Sequence, residues 1–244
     1  MKLLVGYGAG LIGFRPLGQS VSGQGGGGPA PSYDPFLYLL GDDYTSGNWP
    51  DQSGNGNDAT EGTNPPTLVA NVLDGHSAVR FNGTNQLLTV AADSTLDATT
   101  ALTIMVVASS ENATAGVTHW LTKEADTSSG DASYSIAAAS LVQAGLAIKV
   151  GSWAGYFEGT TSLTSDGTKY LVTVTFNGSE YAIRVNGVLV WDGSLSGTIT
   201  TTTGALTIGA LVASFSLSWF MGCDIMAIKA WKNENAPKIG RAHV

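Results

Sequence analysis

Apolar and polar residues alternate with a period of two along much of the chain between residues 101 and 185. This alternation predicts β-strands with one buried face, and the segments are rich in β-branched and aromatic residues. Turn-forming Gly, Asn, Asp and Ser separate them, and no stretch favours a long helix. Many short strands joined by turns indicate a sandwich of two antiparallel sheets. The predicted strands are 101–109, 134–138, 145–150, 169–176 and 181–185.

Two neighbouring segments add local detail to this pattern. The first, from Asn48 to Ala59, contains four consecutive small polar or glycine residues at 53–56, which predict a tight, ordered loop. The second runs from Leu73 to Gly83. It predicts a strand over 78–81 and then a hairpin turn in which Asn82 and Gly83 both take positive φ.

Together these segments resemble the start of a laminin G-like jelly roll of the concanavalin A-like lectin/glucanase superfamily. Five later segments resemble the family's central and closing strands in the family's order, so the resemblance covers about residues 36–232. It implies an all-β, two-sheet antiparallel jelly-roll sandwich that binds carbohydrate, often with one calcium ion. The later segments are 170–178, 181–187, 188–191, 206–209 and 220–231.

Length and composition are compatible with one large all-β domain. The chain has 244 residues, of which only 12% are charged and 32 are glycine, so its surface is predicted to be rich in hydroxyl and amide groups. Its formal charge is -8, and its 11 Lys and Arg residues are scattered. Binding to nucleic acid or to a membrane surface requires clustered basic residues. The protein is therefore expected to bind neither of them.

Both ends of the chain differ from the predicted domain at 32–238. Residues 1–31 combine an apolar, glycine-containing peptide with the glycine-rich stretch 23–31, and are interpreted as an anchor and flexible linker. A signal peptide is the alternative for residues 1–14. Residues 239–244 resemble the translation of a sequencing-library adapter, which predicts a non-native tail on a gene assembled from environmental DNA.

The sequence does not favour an enzyme. Glucanases of this fold carry two alternating glutamates on one strand, whereas the six glutamates here are dispersed. A glycosidase pair drawn from distant strands is the alternative. The single cysteine, Cys223, lies in an alternating strand and is predicted to be a buried apolar residue. The three histidines lack the spacing of a zinc site.

Calcium is the cofactor that the sequence suggests. Asp51, Asn55, Asn57 and Asp58 place several side-chain oxygens in one loop, beside glycines that expose backbone carbonyls. These residues are candidate calcium ligands. The alternative is that Asp and Asn side chains bond to the backbone of their own turns.

Sugar binding on this fold is expected to use exposed aromatic rings. Trp153, Tyr156 and Phe157 lie in a glycine-interrupted segment where exposure is favoured, and His119 with Trp120 forms a second candidate group. Core packing remains the alternative for each of these residues. Trp191, Trp219 and Trp231 alternate with apolar neighbours and are predicted to lie in the core.

Two functions are expected from these features. The first is a non-catalytic, lectin-like module that binds a polysaccharide or glycan surface. The short anchor, glycine tract and jelly roll resemble bacteriophage tail or virion proteins, so the module is expected on a virion or outside the cell, attached to other virion subunits through its N-terminus. The second is a purely structural virion decoration protein that contacts neighbouring subunits through its sheet faces.

Overall fold

The computed structural model describes most of the predicted domain. The described residues are 34–109, 118–123, 132–138, 143–164, 166–213 and 216–233. The predicted anchor and linker at 1–31 and the predicted tail at 239–244 lie outside these ranges.

The described chain forms eighteen strands and two short 3-10 helices, the latter at Gly41–Asp43 and Ser94–Leu96. No helix among the described residues is both long and apolar enough to cross a membrane. The strands are β1 (Leu37–Leu40), β2 (Asn48–Trp49), β3 (Ala59–Glu61), β4 (Thr67–Leu73), β5 (His76–Asn82), β6 (Leu88–Val90), β7 (Leu102–Ser109), β8 (Thr118–Lys123), β9 (Tyr134–Ala138), β10 (Gln143–Val150), β11 (Trp153–Ser162), β12 (Lys169–Phe176), β13 (Glu180–Val185), β14 (Val188–Ser194), β15 (Leu206–Ile208), β16 (Ala210–Ala213), β17 (Ser216–Phe220) and β18 (Gly222–Lys232).

These strands form two large sheets and one hairpin. Sheet 1 has the order β14-β13-β12-β7-β18-β5-β4, with β1 also pairing with β18. Sheet 2 has the order β11-β10-β9-β8-β15-β6-β3-β2, and β16 pairs with β17 in the separate hairpin. Every strand pair within the two large sheets is antiparallel. The predicted two-sheet antiparallel sandwich is therefore confirmed.

The alternating residues of the sequence form the core between the two sheets. In β7, Ile104, Val106 and Ala108 belong to the buried apolar core, whereas Met105 and Val107 between them face outwards and are partly exposed. Sheet 2 contributes Ile136 and Leu146, among others. Burial of one face of each sheet is the main stabilising contribution expected for such a fold. Cys223 is fully buried in the same core, as predicted.

Two hairpin turns show how the sequence fixes strand register. Asn186 and Gly187 take φ values of 51° and 81° between β13 and β14, as the Asn-Gly pair predicts. The turn between β4 and β5 uses Asp74 and Gly75, at 50° and 90°. The prediction that Asn82 takes positive φ was wrong, because Asn82 stays in β5. Its side-chain oxygen instead accepts the backbone N–H of Thr84 at 2.9 Å.

A buried carboxylate connects three strands on the outer face of sheet 1. Asp224 on β18 is fully buried and accepts bonds from Arg80 Nε at 2.7 Å and Nη2 at 2.9 Å. Lys169 Nζ on β12 lies 3.3 Å from the second carboxylate oxygen. Burial alone would raise the pKa of Asp224, but the Arg80 and Lys169 contacts outweigh it and hold that pKa below its ordinary value of 3.8.

We expect Asp224→Asn to lower the free energy of unfolding at pH 7 by about 2 kcal/mol, because the substitution weakens charged hydrogen bonds. The cost stays moderate because the Arg80 guanidinium can return to water. A lowered pKa stabilises the fold above the unfolded-state value, and this contribution is lost as the pH falls through the folded-state value. The difference between the variant and the native chain, measured by urea denaturation, should therefore shrink between pH 7 and pH 3. Asp74→Asn, at an exposed turn, is the control, and an equal loss there would contradict the prediction.

Candidate functional site

The loop from Asp51 to Asp58 is built around the Asp51 carboxylate. Its Oδ1 accepts the backbone N–H of Tyr38 at 2.9 Å and of Ser53 at 3.0 Å. Its Oδ2 accepts the Ser53 hydroxyl at 2.6 Å and the backbone N–H of Asn57 at 3.0 Å. Both oxygens are thus bonded to protein donors, and the carboxylate joins the loop to β1.

The other predicted calcium ligands also bond to the protein. Asn55 and Asn57 donate their side-chain N–H groups to the carbonyls of Pro35 at 3.1 Å and Phe36 at 2.7 Å. The Asn57 side-chain oxygen accepts the Thr95 hydroxyl at 3.0 Å. Asp58 accepts the backbone N–H of Asp51 at 2.8 Å.

This arrangement does not fit calcium, which needs six to eight oxygens directed at one point. The Asp51 oxygens are directed at N–H and O–H donors, and the asparagines direct nitrogens towards backbone carbonyls. Among the described residues there is no group of three or more His, Cys, Asp or Glu side chains that could hold a metal ion. Turn chemistry accounts for Asp51 and Asp58, which accept backbone N–H groups of their own loop, whereas Asn55 and Asn57 also bond to Pro35 and Phe36 and so tie the loop to the segment before β1.

The structure buries the second predicted sugar-binding group. Trp120 and His119 are 1% and 5% exposed, so neither presents a ring face to a ligand. The cause is a bulge in β8, where His119 pairs with Ala137 and Leu121 with Ile136, leaving Trp120 as the extra residue. Trp120 and Leu121 both enter the core, while His119, which pairs with Ala137, lies on the outer face of sheet 2.

His119 bonds to a serine, but the pair is not arranged for nucleophilic catalysis. Its Nδ1 lies 2.6 Å from the Ser135 hydroxyl, which donates its own proton to the Leu121 carbonyl at 2.9 Å. Ser135 is fully buried and also contacts the Thr122 hydroxyl at 2.9 Å. Burial lowers the pKa of His119 to about 4, so the ring is neutral at pH 7. These residues form a buried hydrogen-bond network.

Tyr156, a residue of the first predicted group, lies on the outer face of sheet 2 and is partly exposed. Its ring extends over β10, where a Cβ on Gly145 would lie 2.8 Å from the ring carbon Cζ. The phenol oxygen is buried and has no hydrogen-bond partner. Burial, and to a smaller extent the charge of Glu158, raises the pKa of Tyr156. Trp153 begins β11 opposite Val150, and its side chain lies outside the described part of the structure.

An aromatic residue that the sequence assigned to the core is exposed instead. Trp191 on β14 is 42% exposed, so the prediction that it lies in the core was wrong. Trp191 pairs with Ile183 and Leu189 with Arg184, which makes Val190 the extra residue of a bulge. The bulge changes the alternation along β14. Because β14 is the edge strand of sheet 1, no described strand covers the indole beyond that edge. Trp231 is buried, as predicted, while the side chain of Trp219 lies outside the described part of the structure.

The Trp191 indole is held in place by the residues beneath it. Its Nε1–H donates to the Tyr181 hydroxyl at 3.2 Å. The Tyr181 ring stacks on Phe157 of β11, with ring centroids 3.8 Å apart and planes at 26°. Gly193 makes room for this ring, since a Cβ there would lie 2.5 Å from the Tyr181 hydroxyl. We call Trp191, Tyr181, Phe157 and Gly193 the aromatic edge.

The aromatic edge is suited to stacking against the apolar face of a ring. An indole with a fixed orientation loses little side-chain entropy when a ligand packs on it. Sequence reasoning named Phe157 as a candidate but missed Trp191, because alternation alone does not show which strand lies at the edge of a sheet. The Asn186-Gly187 hairpin and the glycine two residues after Trp191 were the available signals.

Comparison with solved structures identifies several β-sandwich domains with similar folds. They include the binding domain of Paraclostridial Mosquitocidal Protein 1, with a TM-score of 0.63 and 12% identity over 82% of this chain and 49% of that one. This chain therefore spans about half the length of that protein. No protein-family model matches the sequence, and no curated protein matches it either.

Two further neighbours are described in complex with sugars. Domain 4 of the extracellular arabinanase AbnA from Geobacillus stearothermophilus, in complex with arabinotriose, has a TM-score of 0.59 and 13% identity over 82% of this chain and 93% of that one. The CBM40 of Ruminococcus gnavus IT-sialidase, bound to α2,3 sialyllactose, has a TM-score of 0.51 and 10% identity over 66% and 92%. At this level of identity, the likeness establishes a shared β-sandwich fold.

We expect Asp51→Asn to lower the free energy of unfolding by about 2 kcal/mol, because the amide nitrogen cannot accept the bonds now made by Oδ2. Asp58→Asn keeps an oxygen acceptor in the same loop and should have little effect on the free energy of unfolding.

Adding millimolar calcium or a chelator should leave the melting temperature of the native chain unchanged, since a ligand raises it only by binding the folded state. A calcium-dependent rise in melting temperature would contradict the turn interpretation.

Proposed function

We propose that the domain is a non-catalytic, lectin-like carbohydrate-binding module and that Trp191 provides its stacking surface. The observation that carries the proposal is an exposed indole fixed by a hydrogen bond to Tyr181, which is itself stacked on Phe157. Sugar rings pack their C–H faces on such aromatic surfaces, and nearby hydroxyl and amide groups bond to their hydroxyls. The low content of charged residues agrees with this chemistry.

The fold comparison supports the same proposal. Two neighbours with this architecture are described in complex with arabinotriose and sialyllactose, so the fold accommodates binding of glycans of different chemistry. Neither ligand is transferred to this chain by a likeness of 10–13% identity. The shared element is the β-sandwich fold.

The carboxylates near the aromatic edge favour binding over hydrolysis. Glu180 on β13 and Asp192 on β14 are both exposed to water, and Glu158 on β11 is partly buried but alternates with Phe157, so it lies on the outer face of sheet 2. A glycosidase needs one carboxylic acid held protonated in an apolar environment, together with a second carboxylate across the scissile bond. We therefore propose that a bound glycan is released unchanged.

A second candidate function rests on a different observation at the same strand. Val188 and Leu189 are 65% and 44% exposed, and such apolar residues on an edge strand are typical of surfaces that contact another protein. This favours a structural role in which the domain packs against neighbouring subunits. Light scattering of the purified chain tests this role. A chain that stays monomeric at high concentration and binds glycans would reject the structural role and favour the lectin-like one.

The bacteriophage context stays a prediction. Attachment through the N-terminal residues 1–31, and a location on a virion or outside the cell, are part of the same proposal. Immunogold labelling of particles from a lysed host culture tests them, and label confined to the host cytoplasm would reject the virion location.

We expect Trp191→Ala to reduce glycan affinity by about three- to tenfold, the loss that corresponds to one aromatic stacking contact of about 1 kcal/mol. Because the indole is largely at the surface, the melting temperature should change by only a few degrees. Binding to a panel of polysaccharides by affinity electrophoresis measures the effect. Unchanged retention of the variant on every polysaccharide that the native chain binds would reject Trp191 as the stacking surface.

Three further variants separate the candidate residues. Leu68→Ala removes an equally exposed apolar side chain from the opposite edge of sheet 1 and should leave binding unchanged. Trp153→Ala and Tyr156→Phe test the residues predicted from the sequence. Reducing-sugar release from the same polysaccharides is assayed in parallel, and a positive result would make the protein an enzyme.

A further inference from the structure

We infer that the glycan bound at the aromatic edge is uncharged. This inference rests on the proposed function and goes beyond it by naming the ligand's charge class. Its basis is the set of charged side chains on the three strands that form the site, β11, β13 and β14.

These three strands carry few charges, and most of them are negative. Glu158, Glu180 and Asp192 are their carboxylates, and Arg184 is their only cation. Asp192 directly follows Trp191, while Glu180 directly precedes Tyr181. By alternation and register both carboxylates lie, like Arg184, on the outer face of sheet 1, so the side that carries Trp191 has no charged side chain from β13 or β14. The charges of the three strands are mostly negative, in a chain whose overall formal charge is -8.

Arg184 does not offer its guanidinium to a ligand at Trp191. It alternates with Ile183 and Val185, which belong to the core, so Arg184 lies on the outer face of sheet 1. Its register partners on the two neighbouring strands are Thr173 and Leu189. Trp191 instead bonds to Tyr181, a residue on the core-facing side of β13, so the indole and the guanidinium lie on opposite faces of the sheet.

Arg184 is also shielded within that outer face. The residue is 8% exposed, and its Nη1 is buried without a hydrogen-bond partner. A carboxylate or sulfate is normally recognised by an accessible arginine or lysine that donates to two of its oxygens. The described strands around Trp191 supply no such group, and we therefore exclude uronic, sialic and sulfated sugars as the residue stacked there.

The distance between these charges and Trp191 sets the size of their effect on binding of a charged glycan. Strand residues are spaced by about 3.4 Å, so charges within three residues of Trp191 lie at about 10 Å, comparable with the screening length at 0.1 M salt. A net charge of about one at that distance weakens binding of a singly charged anion by about twofold in low salt. Stacking on an uncharged ring is unaffected by this field, so its affinity should not depend on ionic strength.

The experiment compares one polysaccharide backbone in two charge states. Binding of the full chain to polygalacturonate and to its fully methyl-esterified form is measured by affinity electrophoresis, within a panel of neutral, carboxylated and sulfated polysaccharides at 20 mM and 500 mM salt. Trp191→Ala is run beside the native chain to identify which binding events use the aromatic edge. We expect those events to involve uncharged polysaccharides and to change less than twofold with salt.

Two matched variants sharpen the result. Arg184→Gln should leave binding of neutral polysaccharides at the aromatic edge unchanged, because the guanidinium faces away from Trp191 and an uncharged ring does not respond to its charge. Asp192→Asn combined with Glu180→Gln should leave binding of neutral polysaccharides unchanged and increase binding of the carboxylated ones by about two- to fourfold in low salt.

The possible outcomes separate the inference from the function on which it rests. Tight binding that depends on Trp191 but is confined to carboxylated or sulfated polysaccharides, or that is lost in Arg184→Gln, would overturn the inference and leave the lectin-like function standing. If no binding event responds to Trp191→Ala, the aromatic edge is not a glycan site, and both fall together.

Discussion

The stacked pair of Phe157 and Tyr181 is the contact on which the candidate site depends. Phe157 belongs to sheet 2 and Tyr181 to sheet 1, so their rings join the two sheets at the side where β11 and β14 are edge strands. The Thr160 hydroxyl, which donates to the Val190 carbonyl at 3.1 Å, adds a polar bond across the same gap. Stacked aromatic pairs contribute beyond the area they bury. The stack therefore closes one side of the sandwich and also fixes the acceptor that orients Trp191.

Small residues make this closure geometrically feasible. Gly159 lets β11 approach β14, because a Cβ there would lie 2.6 Å from a methyl group of Val190. Gly193 has the same effect beneath Tyr181. Both glycines lie in strands, where glycine is unfavourable on entropic grounds, and in each case close approach of another side chain explains its presence.

The regular part of the fold can be predicted from residue alternation, whereas its irregularities cannot. The predicted strands 134–138 and 169–176 coincide with β9 and β12, because each has one uninterrupted buried face. Trp191 was assigned incorrectly because β14 is an edge strand, which alternation does not reveal. Trp120 was assigned incorrectly because it is the extra residue of a bulge. One extra residue reverses the faces of all later residues in the strand, so alternation cannot be extrapolated through it.

The loop at 51–58 shows the related limit for polar residues. Its composition suited either calcium or turn bonding, and only the positions of the N–H donors around Asp51 distinguish the two.

The bulge at Val190 has a consequence for how the domain behaves among its own copies. An edge strand with exposed apolar side chains ordinarily offers its unpaired backbone as a template for another strand, which is a route to aggregation. In β14 the register shifts in the middle of the strand, so an incoming straight strand can match its hydrogen-bonding groups on one side of Val190 but not on both. The irregularity that places Trp191 beside Tyr181 thus also protects the edge from polymerising, and it allows a water-exposed apolar surface to persist at high local concentration.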